Sequence, residues 1–78
     1  MRFEVFNAED HDEFLGWLDH PGPGEMVEGS ALTVSTVEGD VELDFQRNPA
    51  GEPHWVYLRP GHSLLEVVGF TPAADKLA

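Results

Sequence analysis

The sequence predicts an α+β fold: a small single domain of β-α-β-β-β-β order, with one helix packed on a twisted antiparallel sheet. Three observations lead there. Residues 1–6 and 31–45 alternate apolar and polar side chains, Phe14, Leu15, Trp17 and Leu18 recur at helical spacing behind a capping residue, and Gly/Pro-rich turns divide the remaining apolar runs. A chain of 78 residues is one domain. With 41% hydrophobic residues, including two Trp, five Phe and one Tyr, it can fill one compact core, unlike an acidic disordered tail.

The first strand follows from Phe3 and Val5 set against Arg2 and Glu4. Asn7 is a good N-cap, Asp10 stands where a capping box wants an acceptor, and acids crowd the first turns, so a helix is expected over residues 8–19. Its buried face would carry His11, Phe14, Leu15, Trp17 and Leu18, which assigns Trp17 to the core. His20-Pro21-Gly22-Pro23-Gly24 cannot continue a helix and opens a loop that runs to Gly29. Residues 31–37 and 41–45 then form a β-hairpin. With Glu38-Gly39 as its turn, Val34 pairs Leu43 and Leu32 pairs Phe45, which places Asp40, Glu42 and Asp44 together on the other face. A turn at Asn48-Pro49-Ala50-Gly51 leads to a strand at 54–58. Arg59-Pro60-Gly61-His62 is expected to link it to another at 63–70, and Thr71-Pro72 to start a final helical turn.

Charge is the property farthest from ordinary. The chain carries 15 Asp and Glu against 4 Lys and Arg, a formal charge of −11. The whole excess lies before Phe45, and the remainder is balanced. Such a field argues against direct binding of nucleic acid or anionic membrane and for attraction to a basic protein surface. Cysteine is absent, so disulfides and thiolate metal sites are excluded. The opening Met1-Arg2-Phe3-Glu4 has no apolar run suited to a signal peptide or membrane span, so a cytoplasmic protein is expected.

Two acidic clusters are the candidate binding residues: Glu9, Asp10, Asp12 and Glu13, and Asp40, Glu42 and Asp44. Alternate residues on a strand repeat at about 6.6 Å, close to the phosphate repeat of a nucleic-acid strand, so carboxylates in that pattern can occupy Lys and Arg sites built for phosphate. Trp55 and Tyr57 are the candidate apolar anchors. A solvated face, or a host whose proteins are all acidic, accounts for the same charges without a partner.

His11 among Asp10, Asp12 and Glu13 invites a metal reading, but no metal-binding motif accompanies it, and no cofactor is expected. The serines lack a nucleophile-elbow context and no Gly-rich phosphate loop follows a strand, so an enzyme is not expected. The expectation is a small acidic inhibitor that binds a nucleic-acid-binding protein or complex by mimicking DNA or RNA phosphates. In size and charge alone it resembles phage-encoded anti-CRISPR and anti-restriction proteins. An antitoxin or immunity protein blocking a basic nuclease, or an acidic structural subunit from a halophilic host, are the alternatives.

Overall fold

The computed structural model describes residues 1–22 and 27–73. It contains six strands, β1 (Arg2–Asn7), β2 (Phe14–Asp19), β3 (Ala31–Thr36), β4 (Gly39–Gln46), β5 (His54–Leu58) and β6 (Phe70–Pro72). They form one sheet in the order β3-β4-β5-β1-β2-β6, curled into a half-barrel. β1 and β5 run parallel, and every other neighbouring pair is antiparallel. The fold is therefore a mixed β-sheet, not α+β, and no α-helix occurs among the described residues.

The expected helix over 8–19 is a pair of turns followed by β2, and the reason lies in a β-bulge. Val5 pairs Gly16 while Phe6 pairs Phe14, so Leu15 is the extra residue that shifts the register. The bulge sets Phe14 and Trp17 on one face three residues apart, and brings both Leu15 and Leu18 to the core, also three apart. That spacing imitates a helical stripe. The capping chemistry is spent on turns. Asn7 Oδ1 accepts the Glu9 N–H at 2.9 Å, Asp10 Oδ1 accepts the Asp12 N–H at 3.1 Å, and the Asp10 carbonyl accepts the Glu13 N–H at 2.9 Å.

The hairpin stands with its faces as expected and its register moved by two. Thr36 pairs Gly39, Val34 pairs Val41 and Leu32 pairs Leu43, so the turn is Val37-Glu38. A shift of two preserves the side-chain alternation, which is why the apolar face survives the slip. Residues 63–70 do not form the expected strand. The apolar residues come there in adjacent pairs, Leu64-Leu65 and Val67-Val68, and hydrogen bonds from Val67 N–H to the Leu64 carbonyl (2.9 Å) and Phe70 N–H to the Val67 carbonyl (3.2 Å) fold the segment into turns. Arg59-Pro60-Gly61-His62 is thus no hairpin link but the entry to a crossing that ends at β6. Thr71 and Pro72 extend that strand instead of starting a helix, Ala73 after them has 3-10 geometry, and residues 74–78 of the expected helical turn fall outside the described residues.

The core lies on the inner face. Phe3, Val5, Leu18, Leu32, Leu43, Phe45 and Val56 come from five strands, and Leu64 enters from the crossing segment. Phe3 meets Phe45 edge-on with ring centroids 6.2 Å apart. No polar or charged residue is buried among those described. Gly16 is where the sheet is tightest. Its φ is +149°, and a Cβ there would sit on the Thr71 carbonyl oxygen of β6. Gly16→Ala should therefore cost about 3 kcal/mol or more, whereas Gly61→Ala, at φ +86° with open space around it, should cost about 1–2 kcal/mol. Urea unfolding of both variants measures the difference, and equal losses would show that the Gly16 approach is not tight.

Candidate functional site

Strand alternation leaves the outer face of the sheet accessible, and the candidate residues lie there. The pairing registers carry two rows of side chains across it. One runs Ala31, Asp44, Tyr57, Phe6 and Phe14, and the next runs Gln46, Trp55, Glu4, Trp17 and Thr71. Five aromatic residues from three strands thus share this face, and all five are half-buried. Phe6 lies 6.0 Å from Tyr57 and 5.5 Å from Phe14 between ring centroids, and Phe14 meets Trp17 at 4.9 Å. Arg2 closes one end, its guanidinium 5.1 Å from the centre of a Trp17 ring. His11 closes the other, 4.3 Å from the Tyr57 ring.

Trp17 therefore belongs to the outer cluster and not to the core, because β2 is a strand in which Leu18 pairs the inward Phe3 and Trp17 pairs the outward Glu4. Trp55 and Tyr57 both face outward, one in each row. Phe6, Phe14 and Glu4 were not among the sequence candidates. Phe6 was legible, since it continues the outward alternation of Arg2 and Glu4. Phe14 was not, because its face is set by the bulge.

The nominated acids border this face. Asp40, Glu42 and Asp44 project outward from β4, their register partners on β3 being the uncharged Ser35, Thr33 and Ala31. Glu9, Asp10, Asp12 and Glu13 are exposed on the β1–β2 loop, which reaches the same face because it places His11 on Tyr57. Some of these carboxylates are already engaged. Asp44 takes two hydrogen bonds from Arg59, at 2.8 and 3.4 Å. Asp40 accepts the Ser35 hydroxyl at 3.1 Å, and Glu13 accepts the Asn7 amide at 2.7 Å. The hydrogen bond to Asp44, and then the charges of Asp44 and Glu42, push the Arg59 pKa up. The guanidinium is exposed, so the pair is a surface ion pair that an incoming cation can exchange.

An open cleft of about 310 Å³ lies between the β1–β2 loop and the end of β4. His11, Glu28, Asp44, Gln46 and Tyr57 line it, and the Tyr57 hydroxyl donates to Gln46 Oε1 at 2.8 Å. Among the described residues no group of three or more His, Cys, Asp or Glu side chains is placed to hold a metal ion. Chemically the face offers a partly exposed aromatic centre and an acidic rim, with few cations of its own. Comparison with protein-family models, curated proteins and solved structures finds no significant match to this chain.

Burial pushes the Tyr57 pKa above 10.0. Tyr57 is the only tyrosine, so ultraviolet difference absorbance should follow it alone, with a midpoint above that of the urea-unfolded chain. The associated stability is fully present below pH about 10 and is lost as pH rises through the folded-state value, because the unfolded phenol ionises first. Coincident folded and unfolded midpoints would place Tyr57 in open solvent.

Proposed function

We propose that this chain is a non-catalytic binding protein that lays its acidic, aromatic-centred outer face on a basic surface of a nucleic-acid-handling protein and so excludes DNA or RNA. The observation that carries the reading is the alternation of Asp40, Glu42 and Asp44 along one exposed strand face beside the aromatic rows. Their spacing of about 6.6 Å lets successive carboxylates meet Lys and Arg side chains arranged for successive phosphates. Charge alone would steer the encounter without fixing it. Trp55, Tyr57 and their neighbours supply apolar area at the centre of the patch, where binding energy concentrates, and the carboxylates form the rim. A cytoplasmic setting accompanies this reading. Among the described residues no helix is long and apolar enough to cross a membrane.

The test starts with capture from lysates on the immobilised protein, elution by a salt gradient, and competition with DNA or RNA. A captured nucleic-acid-handling protein that nucleic acid displaces is the expected result, and its identity separates an inhibitor of a defence complex from an immunity protein for a nuclease. With that partner in hand, the combined variant Asp40→Asn, Glu42→Gln, Asp44→Asn should bind at least about tenfold more weakly and with a shallower salt dependence, its circular dichroism unchanged. Unaltered affinity would remove the acidic strand face from the interface and sink the mimicry reading.

A further inference from the structure

Among the described residues the end strands β3 and β6 do not pair, and the seam between the two ends of the half-barrel has the features of a strand-binding site. On one side is β3, an end strand whose only ladder partner among the described residues is β4. Thr36 and Gly39 close the hairpin turn, so the hydrogen-bonded pairs are Thr36–Gly39, Val34–Val41 and Leu32–Leu43. The bond from Phe45 N–H to the Ser30 carbonyl, 2.9 Å, fits the same phase. The N–H and carbonyl groups of Ala31, Thr33 and Ser35 therefore point away from β4, and among the described residues none of them bonds to another backbone group. This edge lacks the usual protection, for residues 31–36 contain no charge, no proline and no bulge.

On the other side is the turn segment that precedes β6. Between the two lies a groove of about 460 Å³ lined by Leu18, His20, Thr33, Ser35, Glu66 and Val67. Exposed apolar side chains gather around it, with Val37 89%, Leu65 69% and Val68 96% accessible. A row of backbone donors and acceptors that no described residue pairs, beside a groove of mixed apolar and polar lining, suits an extended chain that adds as a further strand.

We propose that this seam accepts an extended segment of a basic partner, which adds to the β3 edge with alternate apolar and Lys or Arg side chains. The apolar set would fill the groove against Leu18 and Val67. The cationic set would lie on the outer face, two strand spacings or about 9.6 Å from Asp40, Glu42 and Asp44, within reach of long basic stems. Glu66 and Glu38 add negative charge at the groove and at its hairpin end. A second copy of this chain fits the edge but not the field, since each copy brings a charge of −11. The inference rests on the proposed function only for the partner's charge; the groove and the unpaired edge stand apart from the aromatic face.

The probe is a blocked synthetic peptide of alternating Lys and Val, added to the whole protein. Saturable binding is expected, with the amides of Ala31, Thr33 and Ser35 gaining protection from hydrogen exchange. The same peptide N-methylated at every second residue keeps its charge but loses the edge donors, and it should bind about tenfold more weakly or worse. Thr33→Pro removes a donor that the fold does not use and should weaken the unmethylated peptide similarly, with unchanged circular dichroism as its check. The methylated peptide tests the edge without any variant. Undiminished binding of the methylated peptide would show charge attraction alone and overturn the strand addition while leaving the acidic-face function in place. A concentration-dependent dimer that protects the same amides would also overturn it, with a second copy as the occupant. Conversely, strand addition that persists in the Asp40, Glu42, Asp44 variant, with the captured partner's affinity unaltered, would remove the mimicry reading and keep the seam.

Discussion

The parallel pairing of β1 with β5 is the constraint on which the rest of the structure depends. β1 and β5 belong to opposite ends of the sequence. One carries the β1–β2 unit with β6 at its margin, and the other carries the meander of β3, β4 and β5. Their register sets Val5 beside Val56 and Phe3 beside His54, which joins the two apolar surfaces into one inner face. The same register sets Phe6 beside Tyr57 and Glu4 beside Trp55, which assembles the outer rows. A slip of one residue would exchange the two faces of β5 and lose both the core and the aromatic patch. Core and outer aromatic face are thus two readings of one alignment.

Aromatic residues on the exposed side of a sheet need a reason in so small a protein, whose core has little to spare. Here the inner face is filled by aliphatic residues with Phe3 and Phe45, while both tryptophans, the tyrosine and two phenylalanines lie outward. Phe6, Phe14, Trp17 and Tyr57 support one another through tilted and edge contacts, and Arg2 and His11 cover the two ends. On the proposed function, an apolar platform assembled in advance by such contacts would lower the ordering cost of association. The carboxylates around it stand mainly on β4 and on the β1–β2 loop, two elements that the sheet brings to the same side.

The sequence was most readable where alternation was uninterrupted. The β5 strand occupies 54–58 as expected, and the hairpin shows its apolar and acidic faces, since parity survives a displaced turn. It misled where a local device altered the period. The Leu15 bulge turned strand spacing into helix spacing, and Asn7 and Asp10 offered a helix start while capping turns. Gly16 was the residue that argued against the helix, since it reads as a mild weakening there but as a necessity under Thr71. On the outer face, the row Asp40, Glu42 and Asp44 was legible from alternation, whereas periodicity left open which face of the short Trp55–Tyr57 strand is buried. The aromatic rows were not legible, because they depend on pairing between strands distant in the chain.

A dry core beneath so large an unbalanced charge has a consequence for the medium around the molecule. Nothing buried among the described residues is polar, and the ion pairs at Asp44 and Asp19 lie at the surface, so cohesion is apolar and charge opposes it. Small cations gathered near the carboxylates then act as part of the fold, relieving self-repulsion as the screening length contracts to about 10 Å at 0.1 M salt. A basic partner would expel those same cations on docking and gain entropy from their release. Concentrated electrolyte thus favours the isolated fold while it removes the gain from association. On the proposed function, the chain would be most robust in the conditions in which it would hold a partner least.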